Sequence, residues 1–364
     1  MQTLYKSSRY VLPVLFLSYG VYANYDLFTS GTAKLDTSAD LLSGKVTIQI
    51  DHLYKSDLPH REGAVGLVGA ARYALMGEGR KGVLTGDGGW LFTAEEARVM
   101  EDPLASEVAR IVAIRDQLEA QGITLVMIPV PAKADVYAET ADFPDVSAEM
   151  AARYDAFRTE LTAAKVLSVD TRPALIAAKA QAAMFFATDT HWTVAGASEV
   201  ARAVGATLVD AGLSEAGTSF TPTSEATESF TGDLVSFVTS DSLAPVVGLA
   251  PESVTPFVAL SDAAAVTADD LFGGASAGGV ALVGTSYSAN PRWSFGESLK
   301  VALGTDVVNF AAEGQGPARP MLAYLKSADL RDAPPSVILW EFPVRYLADP
   351  TIWDESLKGD KDAT

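Results

Sequence analysis

Three stretches of this chain are apolar at almost every position: Ile123–Val130, Val280–Val283 and Val337–Phe342. A strand with one wet face alternates apolar and polar residues. A strand that does not alternate has both faces covered, which is the situation of a parallel strand inside an α/β sheet. Shorter runs at Val166–Val169 and Val307–Phe310 read the same way. Helix signals lie between them. Asp102 and Pro103 look like an N-cap and first-turn proline, opening a helix with Val108, Ile111, Val112 and Leu118 on one face and a stop at Gly122. A second helix is expected over 147–165, and a third is capped by Thr193 and ends at Gly212. Strands alternating with helices of this length predict an α/β fold with a parallel, doubly wound sheet. Residues 214–279 break the rhythm. They are rich in Ser, Thr, Ala, Pro and Gly, and are expected to form an irregular insertion with little regular structure.

The N-terminus carries a separate signal. Lys6 and Arg9 precede an apolar run from Tyr10 to Tyr22. That is short for a membrane span, which takes about 20 residues, and right for a signal-peptide core. Extended to Phe28 it reads as an uncleaved signal anchor. Both readings keep the positive flank inside and predict export of everything after about residue 30, the bland alternative being a buried N-terminal helix of a cytosolic protein. The expected organisation is a signal segment over 1–29, a membrane-proximal segment over 30–81 with an amphipathic helix at 63–76, the α/β domain over 82–355, and a polar tail over 356–364.

Charge and composition narrow the chemistry. The 364 residues carry 27 Lys and Arg against 46 Asp and Glu, a net charge of −19, so a phosphate-neutralising face for nucleic acid is not expected. With no cysteine, thiolate nucleophiles and thiolate metal sites are excluded, and histidine chemistry is confined to His52, His60 and His191. Two motif matches fail on context. Gly77-Glu78-Gly79-Arg80-Lys81-Gly82 has the letters of a dinucleotide loop, but a helix precedes it and a strand follows, the reverse of what such a loop needs. Gly274-Ala275-Ser276-Ala277-Gly278 has the letters of an esterase elbow, but it comes before a strand rather than after one.

Ser286 is better placed. It follows the buried run Val280–Val283 and Gly284, on a turn beyond a strand's carboxyl end, where α/β folds bind ligands. A serine hydroxyl needs a base to take its proton. His191 is the candidate, and Asp189, two residues before it in an extended segment, lies on the same side and can orient its ring. The bland alternatives are a helix-cap serine and a histidine satisfied at a helix start, and spacing alone leaves both open.

The order Gly86-Asp87-Gly88-Gly89-Trp90-Leu91-Phe92, Asp189-Thr190-His191-Trp192, Gly284-Thr285-Ser286-Tyr287-Ser288, Glu313-Gly314-Gln315-Gly316-Pro317 and Trp340-Glu341-Phe342-Pro343 resembles the AlgJ/AlgX family of alginate O-acetyltransferases. The resemblance covers about residues 45–350 and is closer to the AlgJ-like branch. It implies a three-layer, SGNH-hydrolase-like fold with a mostly parallel sheet, behind a signal-anchor helix. It implies a Ser286–His191–Asp189 triad, acetyl transfer to an exported polysaccharide, and a periplasmic location, with an exported carbohydrate acetylesterase or a noncatalytic polysaccharide-binding scaffold as the alternatives. It further implies a membrane-bound O-acyltransferase that supplies acetyl groups, and other exopolysaccharide secretion proteins as partners. No metal or soluble cofactor is expected. Backbone donors at Ser286 or Tyr287 and in the loop Glu313–Gly316, Gly314 among them, are oxyanion candidates, and Gln315 offers a side-chain donor, with a solvated amide on a glycine-rich turn as its alternative. Trp192, Tyr287, Arg292, Trp293 and Arg319 are candidates for a sugar site, with a core role the alternative for Trp192 and Trp293. Glu341 and Arg345, at the end of the last strand, are expected to form a structural ion pair, with contact to substrate the alternative.

Overall fold

In the computed structural model the described residues are 10–29, 44–56, 58–101, 103–213, 217–262 and 279–354. In chain order the strands are β1 (Val83–Thr85), β2 (Leu91–Thr93), β3 (Thr124–Val130), β4 (Leu167–Ser168), β5 (Phe220–Ser224), β6 (Glu228–Phe230), β7 (Glu252–Val254), β8 (Phe257–Ser261), β9 (Val280–Val283), β10 (Val307–Asn309) and β11 (Val337–Pro343). The helices are α1 (Val11–Thr29), α2 (Lys45–Ser56), α3 (Arg61–Met76), α4 (Leu104–Glu119), α5 (Lys133–Val136), α6 (Pro144–Ala163), α7 (Arg172–Ala178), α8 (Val194–Asp210), α9 (Ser286–Ala289), α10 (Phe295–Leu303), α11 (Ala318–Leu325) and α12 (Ala328–Asp332).

The central sheet runs β10-β9-β11-β3-β4, and every neighbouring pair is parallel. The long pair β11–β3 holds seven residues in register, from Val337 opposite Thr124 to Pro343 opposite Val130. Side chains alternate across it. Val126, Ile128, Val130, Leu282 and Leu339 enter one core with Val200 and Val204 of α8 and Leu299 of α10. Leu125, Met127, Val283, Ile338 and Trp340 enter the other with Ile111 of α4, Phe157 of α6 and Met321 of α11. Two covered faces explain why these strands show no alternation in sequence. The result is the three-layer α/β architecture expected.

Several boundaries move. Pro144 starts α6 three residues earlier than the periodicity suggested, since proline suits the first helical turn. The helix expected after Asp102 and Pro103 begins at Leu104 with Pro103 as the flanking residue, and Asp102 lies outside the described residues. Thr193 caps α8 as expected, its side chain accepting from the Gly196 amide. The 77–82 glycine motif is a helix stop: Gly77 ends α3 at φ +68, and β1 follows.

The insertion is more ordered than its composition implied. Within 217–262, β5 pairs antiparallel with β8 and β6 with β7, and 3-10 turns form at Asp233–Phe237 and Ala244–Val247. These strands are short and mostly exposed, with Phe220 of β5, Val254 of β7 and Ala259 of β8 buried, so they leave no apolar alternation to read. The 274–278 glycine–serine motif and the 356–364 tail lie outside the described residues. The N-terminal run forms α1, of 19 residues, but among the described residues no helix is long and apolar enough to cross a membrane. Ser18, Gly20, Asn24 and Asp26 dilute it.

Candidate active site

The nucleophile turn is built from the end of β9. Thr285 precedes α9, and its hydroxyl accepts from the Tyr287 amide. Glu341, from the adjacent strand β11, holds the turn from beneath. Its carboxylate accepts from the Thr285 amide at 2.7 Å, from the Thr285 hydroxyl at 3.0 Å and from the Ser288 hydroxyl at 3.0 Å. Gly284 is what lets it in, because a Cβ there would lie 2.4 Å from the Glu341 Oε2. Glu341 is fully buried, and burial pushes its carboxyl upward against the pull of these donors.

The expected Glu341–Arg345 ion pair does not form. After Pro343 the chain enters a 3-10 turn, Val344–Ala348, which swings Arg345 away. Its guanidinium donates to Glu95 at 2.9 Å and to the Tyr287 hydroxyl at 3.0 Å, while that hydroxyl donates to the Thr190 carbonyl at 2.7 Å.

The base segment, 187–192, lies just ahead of α8. Asp189 Oδ1 accepts from the His191 amide at 2.9 Å and lies 2.7 Å from its Nδ1. The His191 Nε2 lies 2.7 Å from Ser286 Oγ. The imidazole stacks on Trp293, with centroids 5.1 Å apart and planes 23° apart. Asp189 Oδ2 accepts from the Asp233 amide at 2.9 Å. Burial disfavours the Asp189 charge, but the His191 ring N–H and charge, together with the Asp233 and His191 amides, outweigh it and hold the carboxyl below its ordinary range. An alcohol, an imidazole and a carboxylate therefore stand in one line at the carboxyl ends of the strands, with geometry suited to moving the Ser286 proton to His191.

A family model described as an SGNH hydrolase-like domain of the acetyltransferase AlgX matches residues 83–344. The chain belongs to this AlgX/AlgJ family. The family includes the probable alginate O-acetylase AlgJ of Pseudomonas fluorescens, 37% identical over 95% of this chain and 89% of that protein. The AlgJ of Pseudomonas aeruginosa is 36% identical over 84% of this chain and 81% of its own length. The solved O-acetyltransferase domain of Pseudomonas putida AlgJ superposes with a TM-score of 0.63 at 34% identity, covering 74% of this chain and 93% of that domain.

Within this AlgX/AlgJ-family fold the remaining candidates scatter. Trp192 is fully buried and its indole N–H donates to the Tyr287 carbonyl, so it is core rather than a sugar platform. Arg292 lies over Phe230 and pairs with Glu228 at 3.2 Å. Arg319, on α11, donates to the Asp354 carbonyl and takes no part in the Ser286–His191 contact. The Tyr287 amide is engaged by Thr285, whereas the Ser286 amide has no protein acceptor among the described residues and suits an oxyanion better. Gly314, at φ +68, and Gln315 sit on an exposed turn after β10.

Three functional neighbours were not legible. Besides Glu341, Lys133 donates to the carbonyls of Leu91, Ala187 and Asp189 at 2.6, 2.9 and 2.9 Å, pinning the base segment. Asp233 accepts from the Thr190 amide at 2.8 Å, and burial and then the neighbouring Asp189 charge push its carboxyl upward. Asp189, His191 and Asp233 bring ligand-type atoms within 4.8 Å of one another. Hydrogen bonds among these residues account for that closeness, so the cluster reads as the orienting shell of the imidazole. The partners of all three neighbours are remote in sequence; only the i, i+2 spacing of Asp189 and His191 leaves a local signal.

Proposed function

We propose that this chain is an O-acetyltransferase that acetylates hydroxyl groups of an exported polysaccharide, alginate or a similar polymer of sugar acids. The observation that carries the reading is the unbroken Asp189–His191–Ser286 line, 2.7 Å at each side-chain contact. It is supported by the names of the relatives, which are probable alginate O-acetylases.

Ser286 Oγ attacks the carbonyl carbon of an acetyl donor as His191 Nε2 takes its proton. The tetrahedral intermediate collapses to an acetyl-Ser286 ester, and His191 returns the proton to the departing group. A sugar hydroxyl then gives its proton to His191 and attacks the ester; collapse releases the acetylated sugar and reprotonates Ser286. Asp189 fixes the ring and balances the imidazolium. The Ser286 amide faces the developing oxyanion, and each such donor contributes about 3 kcal/mol. The domain acts outside the cytoplasm, held near the inner membrane by its N-terminal segment or released by cleavage there. A membrane-bound O-acyltransferase supplies the acetyl group, and other exopolysaccharide secretion proteins are its partners.

The test uses purified full-length chain, an aryl acetate as donor and a uronate oligosaccharide as acceptor. Acetylated sugar is expected from the native protein and none from Ser286→Ala. Free acetate alone would make the chain an acetylesterase, and undiminished transfer by Ser286→Ala would remove the serine mechanism.

A further inference from the structure

A second feature shares no residue with the triad. A groove of about 630 Å³ runs between α3 and the segment 236–241. Arg61, Arg80 and Lys81 line it, together with the ring of Phe237. Arg98, Arg110, Arg153 and Arg172 each lie within 4.0 Å of a carboxylate. Arg61, Arg80 and Lys81 are exposed and have no such partner among the described residues, although Glu62 and Asp241 also line the groove. Three unpaired cations gathered in one place in a chain of net charge −19 are a local exception to its overall field.

The groove is built rather than incidental. Gly66 and Gly69 let α3 approach the 238–240 backbone so closely that a Cβ on Gly69 would lie 2.0 Å from the Val238 carbonyl oxygen. The Thr239 hydroxyl donates to the Gly66 carbonyl at 2.8 Å. The Arg80 amide donates to the Phe237 carbonyl at 2.7 Å, and its guanidinium donates to the Ser236 carbonyl.

It is also tied to the catalytic line. Asp233 and Ser236 belong to one 3-10 turn, Asp233–Phe237. The Asp233 amide holds Asp189, while the Ser236 carbonyl faces Arg80. Three residues of such a turn span about 6 Å, so one short segment floors both places.

We propose that this groove is a subsite for a carboxylate-bearing stretch of the glycan acceptor, a few sugar units from the hydroxyl presented to Ser286. The proposal rests on the acetyltransferase reading for its choice of ligand. Arg61 and Lys81 meet sugar carboxylates, Glu62 and Asp241 accept from ring hydroxyls, and Phe237 offers an apolar face to a sugar ring. Such a subsite explains how a strongly acidic protein takes an acidic polymer.

The experiment compares Ser286→Ala with Ser286→Ala carrying Arg61→Gln and Lys81→Gln, leaving Arg80 in place because it also holds the 236–237 backbone. Uronate dodecamers, uronate dimers and a neutral dodecamer are titrated by calorimetry, with thermal midpoints confirming the fold. The dissociation constant for the uronate dodecamer is expected to rise about tenfold, as for two partly exposed charge contacts, and its salt dependence to flatten. Dimers and the neutral glycan are expected to be unaffected. Unchanged dodecamer affinity, or an equal loss for the neutral glycan, would overturn the subsite. The binding readout needs no acetyl transfer, so a failure of the acetyltransferase reading appears separately, as Ser286-containing protein that binds dodecamer without acetylating it.

Discussion

Lys133 carries its ammonium into a site only 1% exposed, between the rings of Trp90 and Phe92 at 5.1 and 5.2 Å. A charge there is costly unless every donor is used. All three are, by the carbonyls of Leu91, Ala187 and Asp189. Burial lowers the Lys133 pKa to about 8, with Glu96, Asp189, Asp233 and Glu252 pulling the other way. Two of the three acceptors sit on the segment that carries His191, so the lysine is a positioning residue for the base. Replacing it by methionine keeps the volume and strands three buried carbonyls. Lys133→Met is expected to lower unfolding free energy by about 3 kcal/mol, read from urea denaturation, and to lower kcat more than it raises KM. An unchanged urea midpoint would mean that those carbonyls do not depend on the ammonium. At this scale the sequence exposes a side chain's role only when its partner is close in the chain. Asp189 and His191 satisfy that; Lys133 and Glu341 reach backbone groups 42 and 56 residues away and do not.

The turn from β9 into α9 shows what an element adds. The apolar run Val280–Val283 is readable as a doubly covered strand, and a turn after it is readable from Gly284. Why the glycine is needed is not, because the reason is the carboxylate of a neighbouring strand. An alanine at 284 would set its methyl 2.4 Å from Glu341 Oε2, in a packed layer with no slack. Either Glu341 retreats and the Thr285 amide loses its acceptor, or the turn moves and Ser286 leaves His191. Gly284→Ala is expected to cut kcat on an aryl acetate about a hundredfold, the scale of an ångström's misplacement, with a stability loss of about 1–3 kcal/mol. Full activity with a native thermal midpoint would show that Glu341 yields freely. The insertion makes the opposite case. β5 to β8 are exposed pairs with few buried side chains, so composition concealed them; yet the turn they frame delivers the Asp233 amide to Asp189.

Across the whole molecule the buried acids set how stability follows pH. Burial raises the carboxyls of Glu96, Glu341, Asp233 and Asp135 above their ordinary values of 4.5 for Glu and 3.8 for Asp. Between those ordinary values and the raised ones, the native state holds protons that the unfolded chain has released. Stability therefore falls as pH rises through that window, and the cost persists above it. Asp189, Glu139 and Asp349 have lowered carboxyls, so their contribution stands above 3.8 to 4.5 and is lost only at more acid pH. Lys133 carries its full burial cost below about 8 and sheds it only toward 10.5, which makes it silent in the mildly acid range. The net charge of −19 acts with the buried acids, since partial protonation relieves self-repulsion in the compact state. The thermal midpoint at constant ionic strength is thus expected to rise as the pH is lowered from neutral toward the ordinary glutamate value of 4.5. Glu96→Gln is expected to flatten that slope by removing one of the titrating groups. A midpoint that falls steadily across the same interval would mean that the lowered carboxyls outweigh the buried ones, and that Glu96 and Glu341 are held ionised by Arg345 and the surrounding amides well below the range their burial favours.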